Sequence, residues 1–504
     1  MNNAIIRFLI VLILLKNLPV FGAGIDQQPI KINGYSKLFQ SILDTVDKAG
    51  TMRDGFKKMP ETLKLRGLYE SNINIPEGSI VLLESQVRVA TNYSVTIGDG
   101  VTFVCLDGSG LEINGDFNVN GSSNRGVLFT LASTNLNNPT PPRWDGIKVR
   151  NGNANLKNVT IDNARDGLYI YKSTFQVSGV VFKNCDRALN IRESMVGVNL
   201  GGGMFGGVSW RDSIKTAPKN IVEDSFFIKC LFGLYTEYEV YQGDYQGGIS
   251  DLAFNRCYFI KSLNNAIYIN INQRPVHNLL ISDSLFFENG GSISLGGGGY
   301  GFHQGDITIQ NNRIYANKSA VTLSTFYSNN GVLLFKNNAL VQNNGLIAFG
   351  YQQGSKLGDM VISENLFLNS GGMSVSQRNT PIVDQNVFIG GDGIKLTGGP
   401  SYNEQEWLVR SNIFDGITGT VLSSSYHKKI DFNFNIITRF NNSLVIENLE
   451  LTSLKEIIMF VINSHPSQVK PTTGNIGLST GIKKGSTGKG GRQIKLPRKS
   501  SSGD

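Results

Sequence analysis

Six times between Asn312 and Asn435 the chain returns to one phrase: ITIQNNRIYANKSAVTLS, LLFKNNALVQNNGLIAFG, MVISENLFLNSGGMSVS, PIVDQNVFIGGDGIKLT, LVRSNIFDGITGTVL and IDFNFNIITRFNNSLVI. Each carries an apolar β run, an Asn, a second apolar pair, a small or polar turn and a third apolar run. The Asn recurs at 312, 338, 365, 386, 412 and 435, in steps of 26, 27, 21, 26 and 23 residues. A period of about 20 to 30 residues built from short strands predicts a solenoid. The phrase decays upstream, with Ser284, Cys257 and Ser225 in the Asn column, then 179–191 and 156–170. That predicts about eleven coils of parallel strands, a rod roughly 50 Å long at ~4.8 Å per rung. No coil buries its apolar face alone, so stability comes from the stack. The Asn column is read as structural: an amide at a tight bend satisfies backbone groups and tolerates left-handed dihedrals.

The flanks read differently. Residues 1–22 hold Arg7, the run FLIVLILL, Lys16 and small residues near Gly22, the pattern of a cleaved signal peptide too short to span a bilayer. No Cys follows it for a lipid anchor, and no second long apolar run follows, so the mature chain is expected without a transmembrane segment in an exported compartment (secreted, periplasmic or cell surface). Residues 23–72 are read as an N-terminal capping segment, with Leu38, Phe39, Ile42, Leu43 and Val46 on one helical stripe. A parallel β-helix is expected over 73–445 and a C-terminal cap helix over 446–470, because solenoid ends need cover. The tail 471–504 is Gly/Ser/Lys-rich and expected to be disordered. Its seven basic residues against Asp504 supply +6 of the formal +8, so the basic balance describes the tail and not the body. Such a tail suits an anionic surface through screened attraction. Nothing indicates nucleic acid.

Four Cys do not make a disulfide framework. Cys185 and Cys230 nevertheless share a column in VVFKNC and FFIKC, as a disulfide or as stacked free thiols. Sequons stand at Asn92, Asn120, Asn158, Asn317 and Asn441. Four scattered Cys and four scattered His show no zinc spacing.

The segment INIPEGSIVLLESQVRVATNYSVTIGDGVTFVCLDGSGLEINGDFNVNGSS, followed by PPRWDGIKVRNGNANLKNVTIDNA, resembles the opening of exported right-handed parallel β-helix proteins of the pectate-lyase-like superfamily. TIGDGVTF stands where those proteins have an epGvtv-like phrase, and RWDGI (143–147) where they have W-x-G-I. The likeness spans roughly 73–445 and implies a carbohydrate-facing rod; the superfamily holds lyases, hydrolases, epimerases and non-catalytic adhesins. The polygalacturonase-like, pectate-lyase-like and mannuronan-epimerase-like catalytic phrases are missing from this chain. No cofactor is required, and a calcium site, compatible with the superfamily, has no motif here.

After the third strand of each coil comes a variable loop, and the loops share a composition. Stacking would place Tyr238, Tyr241, Tyr245, Tyr300, Tyr327, Tyr351, Tyr402 and Tyr426 along one edge, with Arg274, His303 and Arg378 among them. Flat rings with guanidinium and amide groups suit a sugar polymer. The substrate-binding set is therefore Tyr241, Tyr245, Arg274, Tyr300, His303, Tyr327, Tyr351 and Arg378. A lyase needs a base for the C5 proton, for which Tyr402, His427 and Lys428 stand; Glu404 and Glu406 are candidates for a general acid/base pair. The insertion 196–220, with Trp210 and Arg211, breaks the repeat as a wall or an ornament. Two classes stay open: a polysaccharide lyase or glycoside hydrolase acting on an anionic glycan, and a non-catalytic surface or matrix protein that binds one.

Overall fold

The computed structural model describes residues 62–132, 142–193, 220–236, 249, 251–270, 278–296, 302–303, 306–323, 327–328, 332–350, 360–376, 381–397, 407–432, 434–438, 446–453 and 458–460. The chain divides into two compact units, and every described residue belongs to the larger, Pro60–Val461 with Thr473–Asp504. All of its strand pairings are parallel, and each strand pairs with its counterpart one coil away, so a coil consists of three strands. One coil is Asn220–Glu223, Phe226–Ile228 and Phe232–Thr236. The next is Leu252–Asn255, Tyr258–Ile260 and Asn265–Asn270, each strand in register with the one before. The result is an all-β, parallel β-helix-like stack with three ladders.

Two-residue periodicity explains the core. In Val159–Asp162, Val159 and Ile161 point inward and are buried while Thr160 and Asp162 lie on the outer side. Equivalent inward residues then stack coil on coil. Phe227, Phe259 and Phe286 form one file with ring centroids 4.5 and 4.8 Å apart, and Phe367, Phe388 and Phe414 another at 4.4 and 4.9 Å. Each buried aromatic contributes roughly 2–3 kcal/mol, and the parallel offset rings add to it.

The two short corners of each coil repeat one device. A residue takes a left-handed conformation and the next side chain turns inward. At the first corner Asn311, Asn337, Glu364, Gln385 and Ser411 have φ of 57–59° or 53°, and Asn312, Asn338, Asn365, Asn386 and Asn412 follow them. The left-handed residue is thus the one before the repeated Asn, not that Asn itself. Asn338 donates Nδ2–H to Ile309 O (2.9 Å) and to Asn365 Oδ1 (3.0 Å), while its own Oδ1 accepts from Asn312 N (3.0 Å) and Asn312 Nδ2 (3.0 Å). The second corner holds a shorter amide file, Asn289, Asn317 and Asn343, that the repeat reading did not separate. Asn317 is fully buried and its amide is spent on Phe286 O and Asn343, which closes that sequon in the folded chain.

RWDGI also acquires a physical reason. Trp144 is buried, extends the Phe103–Phe129 stack and donates Nε1–H to Asp162 O (2.9 Å). Gly146 has φ +99°, and a Cβ there would lie 1.5 Å from Asp166 O, so only glycine fits.

The ends depart from expectation. The β region starts with Thr62–Tyr69, paired to Ile80–Val89, and not at 73. No capping helix occurs among the described residues. The segment expected as a helix over 446–470 has strands at Ile446–Ser453 and Ile458–Phe460, paired to Leu422–Asp431 and Ile436–Thr438. An exposed strand edge templates another strand, and that non-local pairing overrides the local helical reading of NLELTSLKEIIMFVI. The helix expected within 23–72, the signal peptide and the basic tail lie outside the described residues.

Candidate functional site

Of the expected loop edge, Tyr241, Tyr245, Arg274, Tyr300, Tyr351, Arg378, Tyr402, Glu404 and Glu406 lie outside the described residues, as do Tyr238 and the insertion residues Trp210 and Arg211. His303 and Tyr327 do not. Phe302–His303 and Tyr327–Ser328 are short strands of successive loops, paired in parallel with Phe302 opposite Tyr327 and His303 opposite Ser328. At that position one loop runs directly over the next. His427 and Lys428 fall within the long extended segment Leu422–Asp431, with Lys428 opposite Leu449. Leu422–Ser424 pair with Ile394–Leu396 in the third ladder and Ile430–Asp431 with Trp407–Leu408 in the first, so the chain passes between ladders at His427, where its register against Ile446–Ser453 shifts between Ser423 and Lys428.

A different surface carries aromatic and cationic side chains together: the outer face of the third ladder. In Trp144–Arg150, Ala164–Tyr171, Arg187–Glu193, Phe232–Thr236 and Asn265–Asn270, inward aliphatics alternate with outward polar or aromatic residues. The register puts Lys148, Tyr169, Asn190, Tyr235 and Tyr268 in one vertical file. Beside it run Arg150 and Tyr171 on one flank, and Asp166, Arg187 and Phe232 on the other. Tyr235 and Tyr268 stack with centroids 5.6 Å apart at 15°, and Phe232 closes the cluster at 5.0 and 5.8 Å.

Cations interleave with these rings. The Arg187 guanidinium lies 5.6 Å from the Tyr235 centroid, Arg150 lies 5.4 Å from Tyr171 and 6.0 Å from Tyr169, and Arg192 lies 5.0 Å from Tyr171. Arg192 owes that position to a register shift between Ile170 and Tyr171, where the chain carries an extra residue. Lys172 adds a third cation over Tyr171, at 5.5 Å. Underneath, Asp166 accepts two bonds from Arg187 (2.6 and 2.9 Å) and one from Asn190 Nδ2 (3.0 Å). Glu112 holds Arg150 at 3.0 Å. Asp166, Tyr169 and Asn190 form a buried floor, and Asn190 Oδ1 has no hydrogen-bond partner among the described residues. Arg150, Tyr171, Arg187, Tyr235 and Tyr268 stand half-buried around it. Rings fixed at rung spacing, with guanidinium groups pre-oriented by carboxylates, can hold planar apolar faces and planar anions side by side.

The outer face of the first ladder is polar in another way. Asn153 Nδ2 donates to Asp116 Oδ1 (3.0 Å), Asn155 Nδ2 to Asn118 Oδ1 (2.9 Å), and Thr174 Oγ1 to Asn153 Oδ1. Asp116, Asn153, Asn155 and Thr174, with Gln176 and Ile221, line an open groove of about 500 Å³. Its amides are largely spent on one another, which makes it a weaker ligand surface than the third ladder. Among the described residues no group of three His, Cys, Asp or Glu side chains is placed to hold a metal ion. Comparison with known proteins finds no matching family model, curated protein or solved structure.

Sequence reasoning looked for aromatics in loops and so missed Arg150, Tyr169, Tyr171, Arg187, Arg192, Tyr235 and Tyr268. The signal was present: in GIKVR, DGLYIY, RALNIR, FGLYT and NAIYI the residue between two inward side chains, aliphatic in all but Thr236, reads Lys, Tyr, Asn, Tyr, Tyr.

Proposed function

We propose that this chain is an exported β-helix protein that binds an anionic polysaccharide along the outer face of its third ladder, continuing onto the Tyr-rich loops that follow that ladder. The observation that carries the reading is the Tyr235–Tyr268 stack flanked by Arg187, Arg150 and Arg192. Sugar rings present flat C–H faces to aromatics, and uronate carboxylates or sulfates pair with guanidinium forks. The RWDGI and TIGDGVTF phrases support membership of the right-handed pectate-lyase-like group, and parallel crossovers are right-handed in ~98% of cases. Residues 1–22 support export, and the cationic tail 471–504 supports a second, looser hold on an anionic surface.

The test is affinity electrophoresis and calorimetry of the purified protein against polyuronates, sulfated glycans and neutral glucans. Binding to the charged polymers is expected, weakening as salt rises. Tyr235→Ala and Arg150→Ala are each expected to weaken it about tenfold, the effect of about 1.4 kcal/mol. Failure to bind any anionic polymer, or binding indifferent to both changes, rejects the reading. Turnover belongs to the same proposal only at the loop edge, where Tyr402, His427 and Lys428 stand for proton abstraction and Glu404 and Glu406 for acid/base work. The same polymers, followed for unsaturated products and reducing ends, decide between enzyme and adhesin.

A further inference from the structure

Cys185 and Cys230 lie one directly above the other. Lys183 is paired with Ile228, Asn184 and Lys229 take the same left-handed φ (53° and 52°), and each is followed by its cysteine. Leu231 N–H donates to Cys185 O (2.9 Å) and Leu263 N–H to Cys230 O (2.8 Å), so the two residues occupy successive rungs of the second corner. Both are buried free thiols. Cys185 Sγ sits 3.4 Å from Lys183 O and Cys230 Sγ 3.5 Å from Ile228 O, equivalent positions one coil apart. In later coils the same file is occupied by Ser262 and then by the amides of Asn289, Asn317 and Asn343. The amide ladder that ties rung to rung further along is absent at this point. Between these two rungs the sequence also carries the insertion 196–220 that breaks the repeat.

We propose that Cys185 and Cys230 are joined by a disulfide during folding, a covalent tie across the rungs on either side of the insertion, in place of the amide ladder found further along. Neighbouring rungs at ~4.8 Å fall within the Cα range of a disulfide, ~4.4–6.8 Å. No other pair competes. Cys257 stands in the first-corner file with Ser225 below and Ser284 above, and Cys105 pairs with Leu83 and Leu131. Two S–H bonds break and one S–S bond forms. The two protons and two electrons pass to a small disulfide oxidant such as oxidised glutathione, which leaves as two thiols. Burial, with the neighbouring Cys230 sulfhydryl adding to it, holds the Cys185 thiol well above its ordinary range. Thiolate attack is therefore suppressed once the coil has closed, and the bond is made while the coil is still open.

The full-length chain is unfolded in reductant, then refolded with reduced and oxidised glutathione, and digested without reduction. Peptide mass mapping is expected to find one cross-linked pair joining Cys185 to Cys230, with Cys105 and Cys257 free. The oxidised protein is expected to resist urea better than the same preparation reduced before unfolding, and Cys230→Ser is expected to abolish both the linked peptide and the difference. Refolded protein with native β circular dichroism, carrying free thiols or glutathione adducts at both positions, overturns the proposal. So does a link involving Cys257 or Cys105. Should Cys230→Ser fail to fold, Cys230→Ala, the size and polarity of the buried Ala164 that precedes Cys185 in that file, supplies the unlinked control.

Discussion

Asn338 and Ala316 show how unequal the two positions of a corner are, the inward amide and the left-handed residue. The Asn338 amide serves three rungs at once, taking two donors from Asn312 and giving to Ile309 O and Asn365 Oδ1. Replacing it by Ala takes the side-chain partner from the buried Asn312 N–H and from Ile309 O and removes one of the bonds of Asn312 Nδ2 and of Asn365 Oδ1, which keep Ile281 O and Asn338 N–H; a buried group left unpaired costs ~1–3 kcal/mol before relaxation. Asn338→Ala is expected to lower unfolding free energy by about 3 kcal/mol, read from the urea midpoint at unchanged slope. Ala316 faces solvent at φ 53°, where a Cβ is strained by about 1–2 kcal/mol. Ala316→Gly relieves that strain and returns part of it as unfolded-state entropy, so a net gain of about 0.5–1 kcal/mol is expected from the same measurement. A loss on Ala316→Gly, or no effect of Asn338→Ala, contradicts the division of labour between the left-handed residue and the inward amide.

The element that matters most is the corner, because strands of three or four residues cannot set their own register. Corner electrostatics give the stack an acid limit. Burial works against the Asp99 charge, yet Ser122 N–H, the Ser122 hydroxyl and Arg125 together hold its carboxyl below the ordinary 3.8. The Arg256 hydrogen bonds likewise hold Asp224 low. A carboxyl depressed in the folded state contributes stability that is complete at neutral pH and is lost as pH falls through values below about 3.8. Burial pushes Asp162 the other way, so its protonation partly offsets that loss. Melting temperature is expected to stay level from pH 7 to 5 and fall below 4, with Asp99→Asn lowering the plateau and shallowing the acid limb. An unchanged acid limb in Asp99→Asn separates acid unfolding from this corner. The corners also mark what the sequence could reveal. The first Asn file was legible because one residue type repeats six times; the second was not, because Ala, Cys, Ser and Asn share its positions. The strands Ile446–Ser453 and Ile458–Phe460 were illegible because their partner lies in the preceding coil, while local periodicity argued for a helix. The Tyr/Arg face escaped notice because one outward residue per short strand means nothing until register stacks it.

At the scale of the molecule, each rung touches only the rungs beside it, and stability is a sum of rung-to-rung terms. That makes whole rungs removable and fractions of rungs not. Ala339 pairs with Leu366, and Ile347 with Met373, so the later residue of each pair can take the earlier one's place. Deleting 339–365 joins Asn338 to Leu366, brings Leu366–Leu368 beneath Arg313–Tyr315 and returns Asn386 to the amide file below Asn338. The inward Phe file also survives, since Phe367 replaces Leu340. The shortened chain is expected to be soluble, to keep the far-ultraviolet β minimum and to melt within about 5 °C of the parent, the shift of one or two kcal/mol in a chain of this size. Deleting 339–351 instead removes two strands and leaves the third, so the inward aliphatics of the next coil meet outward positions and the Asn file is broken. That variant is expected to aggregate. Its binding counterpart follows from the same independence: the rungs carrying Arg150, Tyr171, Arg187, Tyr235 and Tyr268 end at Asn270, upstream of the deleted coil. Affinity for an anionic polymer through that face should survive deletion of 339–365, whereas affinity residing in the loops over Tyr327 and Tyr351 should fall with it. The deletion thus separates the two surfaces of the proposed glycan strip in a protein whose fold it leaves whole.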